Sequence, residues 1–243
     1  MTFISPRIAQ PTILPDKNIK FSVIIPAAGL GHRAKGMGAK PLIKIRNQTS
    51  IITNQLKHIR TYLNSDDINV VYGFQQEKME AQLGNSGVKL IYNNRFETTN
   101  VVYSIHLGLQ NVKHKNVVII YGDLVFNTYT LRVPFGSQSA IIYDSGGFMS
   151  NGEVGCIIAD RKLENMMYDL PQKWAQIVYI TGRELDMFKY FCGIEKCWQY
   201  FGFEIINAAL NNNGVFLAYS PKRMRARDID VTKDLEDIES VLK

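Results

Sequence analysis

A three-layer α/β/α fold with a mostly parallel central sheet is the class this sequence predicts. Two observations carry it. Short apolar runs of strand length alternate with longer stretches of helical periodicity, and the short runs are apolar on consecutive residues, not on every second one. A strand that is apolar on both faces has to be covered on both faces, which is the condition of a parallel sheet lying between two layers of helices.

The elements follow in order. FSVIIPA at 21–27 is the first strand. After a glycine-containing loop comes SIITNQLKHIRTYLN at 50–64, whose apolar residues at 51, 52, 56, 59 and 63 fall on one helical face. INVVYGF at 68–74 is a second strand, and QQEKMEAQLG at 75–84 a helix closed by a glycine suited to its C-cap. VKLIYN at 88–93 predicts a third strand, TNVVYSIHLGLQNV at 99–112 a third helix, and NVVIIYG at 116–122 and SAIIYD at 139–144 two further strands. From about 145 to 220 the alternation is less regular and aromatic residues are more frequent, as expected of a substrate-covering subregion on the same fold. The organisation expected is an N-terminal extension over 1–20, whose prolines suggest a poorly ordered or surface-lying lead-in, and a single domain over 21–243.

Composition narrows the function classes. The 243 residues are 46% hydrophobic and 21% charged, ordinary for a soluble globular protein, and no apolar run approaches the roughly 18 residues of a membrane span. The N-terminus shows no charged region followed by an apolar one, so a cytoplasmic protein is expected. Cys156, Cys192 and Cys197 form no CxxC pair and are odd in number, which argues against a disulfide framework. His32, His58, His106 and His114 have no zinc-binding spacing. The net charge of +6 matters less than its placement. No acidic residue occurs between Asp16 and Asp66, whereas Lys17, Lys20, Arg33, Lys35, Lys40, Lys44, Arg46, Lys57 and Arg60 are basic. Such a one-signed stretch around a glycine loop suits a polyphosphate, although a solvated basic face would look the same. Basic residues interleaved with stacking aromatics are not evident, so nucleic acid is not the expected partner.

The loop itself, PAAGLGHRAKGMGAKPL at 26–42, admits several readings. A P-loop fails because Gly-Lys-Ser/Thr never occurs. Gly29-Leu30-Gly31-His32-Arg33-Ala34 satisfies a dinucleotide fingerprint, but the acid-free stretch lacks the carboxylate needed about 20 residues later for a ribose. Arg33, and Lys40 seven residues on, are instead placed to reach a triphosphate. A plain strand–turn–helix junction would also use small residues here.

At this point the sequence resembles a known family. PAAGLGHRAKGMGAKPL is similar to the signature of nucleotidyltransferases with the sugar-nucleotide/cytidylyltransferase fold, in which a strand, small residues and G-x-G-x-R precede Lys-Pro-Leu. YNNRFETTNVVYSIHLGL resembles the Asn-containing segment before a helix in the phosphocholine cytidylyltransferase branch. NVVIIYGD matches a strand ending in Gly122-Asp123, and DIDVTKDLEDIE resembles a late Asp-Thr-x-x-Asp-Leu-Glu motif. His32 and Val231 depart from that pattern.

The resemblance implies a Rossmann-like nucleotidyltransferase fold and transfer of a nucleotidyl group, CTP being the expected donor and a small phosphorylated compound the acceptor. Such a reaction brings one anion onto another, so positioning and electrostatics supply most of the catalysis and no covalent nucleophile is needed. Backbone N–H groups of Ala28, Gly29, Leu30 and Gly31 would meet the phosphates. Arg33 would hold the β and γ phosphates, and Lys40, matching the family's Lys-Pro lysine, would neutralise charge at the α phosphate. Asp123, at the end of an apolar strand, is one expected Mg2+ ligand, and Asp230 is the other by resemblance. Either could instead cap a helix. Asn100 and Ser104, one helical turn apart, are candidates for base and ribose, with Gly122 beside the nucleotide. Lys173 is the candidate for the acceptor's phosphate and Trp174 for a cationic head group, although such a Trp is commonly core. Asp144 and Glu153 are weaker candidates, and Asp228 competes with Asp230 in register. A sugar-1-phosphate nucleotidyltransferase, a glycosyltransferase of related fold and a non-catalytic nucleotide-binding module remain open.

Overall fold

The computed structural model describes residues 14–30, 38–45, 48–146, 149, 152–229, 232–236 and 238–242. In chain order the strands and helices are β1 (Ser22–Ala27), α1 (Ile51–Tyr62), β2 (Asp67–Tyr72), α2 (Gln76–Leu83), β3 (Lys89–Tyr92), α3 (Val101–Leu109), β4 (Val117–Ile120), β5 (Leu124–Phe126) and β6 (Ala140–Asp144). There follow β7 (Val154–Ala159), β8 (Lys162–Tyr168), β9 (Gln172–Ile180), α4 (Gly182–Gly193), α5 (Gly202–Asn211), β10 (Leu217–Tyr219), β11 (Ala226–Asp228) and α6 (Ile238–Leu242). The strands and helices read from the sequence up to residue 144 are all present. None of the described helices is long and apolar enough to cross a membrane.

One sheet has the order β3-β2-β1-β4-β9-β6-β10-β8-β7. β1 to β4 run parallel, as do β6 and β10, whereas β9 lies antiparallel between β4 and β6. The β7–β8 hairpin extends the sheet past β10, and β7 also pairs the start of β9 through Gly155–Lys173 and Cys156–Gln172. The stretch 145–220 therefore supplies a central strand as well as α4 and α5. A separate ribbon joins β5 to β11.

Consecutive apolar residues on the strands serve opposite faces, because strand side chains alternate. Val23 and Ile25 pack with Ile52, Leu56 and Ile59 of α1 and with Met79 and Leu83 of α2. Ile24 packs on the other face with Val102 and Ile105 of α3, Leu185 and Phe188 of α4, and Ile205 and Ile206 of α5. Each fully buried side chain of this size contributes about 1.5–3 kcal/mol of transfer free energy, so both layers are held firmly to the sheet. A third, smaller core gathers Ile43, Ile45 and Ile51 with Val125, Ile229, Ile238 and Val241. It ties the C-terminal segment to the chain that follows the glycine loop.

Candidate active site

The parallel strands deliver their C-terminal ends to one edge of the sheet, where open α/β folds place their ligands. β1 ends at Ala27. Ala28 is buried and its carbonyl accepts from the N–H of Phe74, which anchors the loop's first residue to the end of β2. Gly29 is exposed, and a Cβ added there would meet open space; Leu30 is half-buried. Gly31 and Arg33 lie outside the described residues.

The chain is described again at Gly38, whose φ of +77° suits glycine and turns the backbone toward Lys40. The Ala39 N–H donates to Gln75 Oε1 at 3.1 Å, and Gln75 itself holds a left-handed backbone, φ +54°, at the start of α2. A 3-10 turn follows over Lys40–Leu42, with Pro41 in its first turn, where a missing N–H is harmless. The result is a lysine only 9% exposed whose Nζ donates to Asp123 Oδ2 at 3.0 Å.

Asp123 stands in a turn closed by the Leu124 N–H on the Tyr121 carbonyl. The Gly122 N–H donates to the Pro26 carbonyl, and a Cβ on Gly122 would come within 2.9–3.1 Å of Ala27 and the Pro26 carbonyl oxygen. Glycine is therefore required by close approach of two backbones. The Asp123 carbonyl accepts from the Ile229 N–H, next to the Asp228–Leu124 pairing of β11 on β5. The strand-end Gly-Asp and the late acidic motif, distant in sequence, thus meet at the end of β1. Asp230 lies outside the described residues. Among those described, no group of three His, Cys, Asp or Glu side chains could hold a metal ion. The chemistry of the Asp123 carboxylate, a hard oxygen donor with its side chain 25% exposed, suits Mg2+.

A second buried lysine is also ion-paired. Lys173, at the start of β9, is 7% exposed and pairs with Glu153, with Asp228 Oδ1 at 3.8 Å. Asp144 is its cross-strand neighbour, buried, with Oδ1 accepting from the Gly146 N–H. Asp228 links this cluster to Asp123 through β11. Trp174 is 4% exposed, its Nε1 donates to the Ile177 carbonyl at 3.4 Å, and its ring meets Tyr121 edge-on with centroids 5.5 Å apart. Burial, and then the charge of Asp123, push the Tyr121 phenol up from its usual pKa. Trp174, with Val178 and Ile180, packs in the layer of α3–α5, whereas Ala175, Ile177 and Tyr179 face the layer of α1 and α2, as the alternation of strand side chains places them.

Asn100 caps α3, its Oδ1 accepting from the Val101 N–H at 2.7 Å, while its Nδ2 donates to the Gln199 carbonyl. Ser104 is 4% exposed and its Oγ accepts from Asn93 Nδ2 at 3.1 Å. Both are tied to protein partners at the β3–α3 corner. Gln75 is the residue of the lysine side that sequence reasoning missed; the signal was a polar pair, Gln75-Gln76, directly after a strand.

A family model described as a domain of unknown function (DUF6564) matches residues 43–207, more than half of the chain. The chain belongs to that family. Over 98 residues it is 29% identical to a choline-phosphate cytidylyltransferase of Streptococcus pneumoniae; the match spans 39% of this chain and 42% of that protein. The chain thus matches about two fifths of the length of that curated relative. Solved structures agree over much more of the chain. A CTP:phosphocholine cytidylyltransferase from Streptococcus pneumoniae superposes with a TM-score of 0.77 at 18% identity, covering 93% of this chain and all of that one. An inositol-1-phosphate CTP transferase from T. maritima gives 0.75 at 11% identity over 92% and 97%. A glucose-1-phosphate thymidylyltransferase assignment from Bacillus anthracis gives 0.73 at 16% identity over 90% and 94%. The chain has the Rossmann-like α/β fold of these nucleotidyltransferases.

Proposed function

We propose that this protein is a Mg2+-dependent nucleotidyltransferase that moves CMP from CTP onto a small phosphorylated acceptor and releases pyrophosphate. The observation that carries the reading is the buried Lys40 paired with Asp123 at the C-terminal ends of β1 and β4, in a cytidylyltransferase fold. A cation and a hard carboxylate 3.0 Å apart are what this chemistry needs.

An oxygen of the acceptor's phosphate attacks the α phosphorus of CTP, and the bond from that phosphorus to the bridging β oxygen breaks. Backbone N–H groups of Ala28, Gly29, Leu30 and Gly31, together with Arg33, hold the polyphosphate. Lys40 exchanges its bond to Asp123 for one to the α phosphate and stabilises the charge gathering there. Asp123 and Asp230 would hold Mg2+, which supplies Lewis-acid neutralisation of the departing pyrophosphate. Asn100 and Ser104 would contact the base and ribose on exchanging the protein partners they hold, with Gly122 beside the nucleotide. Lys173 receives the acceptor's phosphate within the carboxylates of Glu153 and Asp228. Trp174 acts from beneath, as the packed support of Tyr121 and the acceptor pocket. The surroundings are those of a soluble, cytoplasmic enzyme.

A second reading, a sugar-1-phosphate nucleotidyltransferase, is favoured by the likeness to the thymidylyltransferase fold. Pyrophosphate release measured for each of the four NTPs against phosphocholine, a phosphonate and sugar 1-phosphates separates the two. CTP with a non-sugar acceptor supports the first reading; a pyrimidine triphosphate with a sugar phosphate selects the second. No pyrophosphate in any combination sinks both.

A further inference from the structure

Gln55 is fully buried in α1, on the same helical face as Ile52, Leu56 and Ile59. Its Nε2 donates to two backbone carbonyls, Tyr121 and Leu124, each at 2.7 Å. Its Oε1 is also buried and, among the described residues, has no hydrogen-bond partner. A buried amide oxygen without a partner costs about 1–3 kcal/mol, so an aliphatic residue would suit a purely structural position better. What the amide gains is both of its N–H bonds, and both go to the two ends of one turn.

That turn is the one that presents Asp123. Tyr121 and Leu124 are its first and last residues, and Gly122 and Asp123 its corner. We infer that Gln55 is a positioning residue for Asp123: its two N–H groups clamp the carbonyls that flank the Gly-Asp corner and so fix the direction of the carboxylate toward Lys40. The inference rests on the functional reading above for the role of Asp123, while the clamp itself rests on geometry. The turn is held at its other points by the Gly122 N–H on Pro26 and the Ile229 N–H on Asp123, both backbone bonds. Gln55 is the side chain through which α1 reaches the turn's ends, and α1 also carries none of the residues assigned to phosphate, base or acceptor. A loosened clamp would leave nucleotide contacts in place and misdirect one carboxylate, so it should reduce kcat and weaken Mg2+ while sparing the KM for the triphosphate.

The test uses the full chain with Gln55→Met, which keeps the length and loses both donors, and Gln55→Glu, which can donate one hydrogen only when protonated. In Gln55→Met, kcat for pyrophosphate release should fall tenfold or more, the Mg2+ concentration for half-maximal rate should rise, and the KM for CTP should change less than threefold. Independently of activity, amide hydrogen exchange at Leu124, whose N–H bonds the Tyr121 carbonyl, should quicken at least tenfold. Gln55→Glu should recover turnover relative to the native chain as pH is lowered toward 5.5. A folded Gln55→Met with native kcat and native Leu124 exchange, alongside an inactive Asp123→Asn, overturns the inference. If Gln55→Met does not fold, Gln55→Glu decides: a ratio to native turnover that ignores pH overturns it. Failure of both to fold makes Gln55 a stability residue and likewise overturns it. Full turnover in Asp123→Asn sinks the functional reading instead, and the exchange result then judges the clamp alone.

Discussion

Lys40 Nζ and Asp123 Oδ2 lie 3.0 Å apart, so each charge offsets the other. An arriving triphosphate and cation would replace that contact with two, the lysine on phosphate and the carboxylate on metal. Lys40→Ala should therefore lower kcat by roughly a hundredfold, the scale of one lost stabiliser of transition-state charge. Its unfolding midpoint should fall as well, because Lys40 is buried and its removal leaves the largely buried Asp123 carboxylate without that cation. Steady-state kinetics beside a denaturant titration check this; near-native turnover would reduce Lys40 to a structural lysine. Both residues were legible in the sequence, Lys40 from Lys-Pro in an acid-free stretch and Asp123 from the end of an apolar run. Their contact was not, because the two are 83 positions apart and meet only through the order of the strands. Gln55 was half legible. A polar residue inside the apolar stripe 52, 56, 59 stands out, but nothing local names the carbonyls it reaches.

The turn between β4 and β5 is the element on which the site depends. Gly122 rests against Ala27 and the Pro26 carbonyl, and those are largely backbone atoms that cannot swing aside. Gly122→Ala should destabilise the fold by about 1–3 kcal/mol, as overpacking does, and lower turnover with it; unchanged stability would mean that the turn relaxes freely. Helix α1 carries a pH-dependent term. His58 packs against Phe126 with ring centroids 5.4 Å apart, and burial, then the charge of Lys57, hold its pKa below the usual 6.5. The unfolded chain thus takes up the proton more readily than the folded one. Stability from this group is complete above about pH 6.5 and is lost as pH falls through the lower folded value. Denaturant titrations from pH 8 to 5 should show a shallower loss in His58→Gln than in the native chain; identical slopes would contradict it. Most elements up to residue 144 were readable because short apolar runs alternate with stretches of helical period, although the three-residue β5 was not read. β9 was not, because an antiparallel strand inserted between β4 and β6 is chosen by partners from distant parts of the chain.

Across the whole molecule, two apolar layers enclose the sheet and leave its C-terminal edge to charged side chains. Cys156 and Cys192 belong to one of those layers, both at 0% exposure. Burial pushes the Cys156 thiol up to about 12 and raises Cys192 as well. The folded chain should therefore leave both unmodified by an alkylating reagent at pH 8, and denaturant should expose them; rapid labelling of either in the native state would show that this layer opens. The fold was legible at this scale from consecutive apolar strands and from four motifs in order. The surroundings of Lys173 were less so: the residue was named from the sequence, but its ion pairs with Glu153 and Asp228 join segments that precede and follow β9 along the chain. The central claim is nucleotidyl transfer, and following CTP labelled separately at its α and γ phosphates tests it most directly. The account predicts that, with Mg2+ and a phosphorylated acceptor, the α label passes to the acceptor and the γ label leaves in pyrophosphate. Label recovered only as inorganic phosphate, or CTP returned intact with every acceptor and every other triphosphate equally inert, would contradict it.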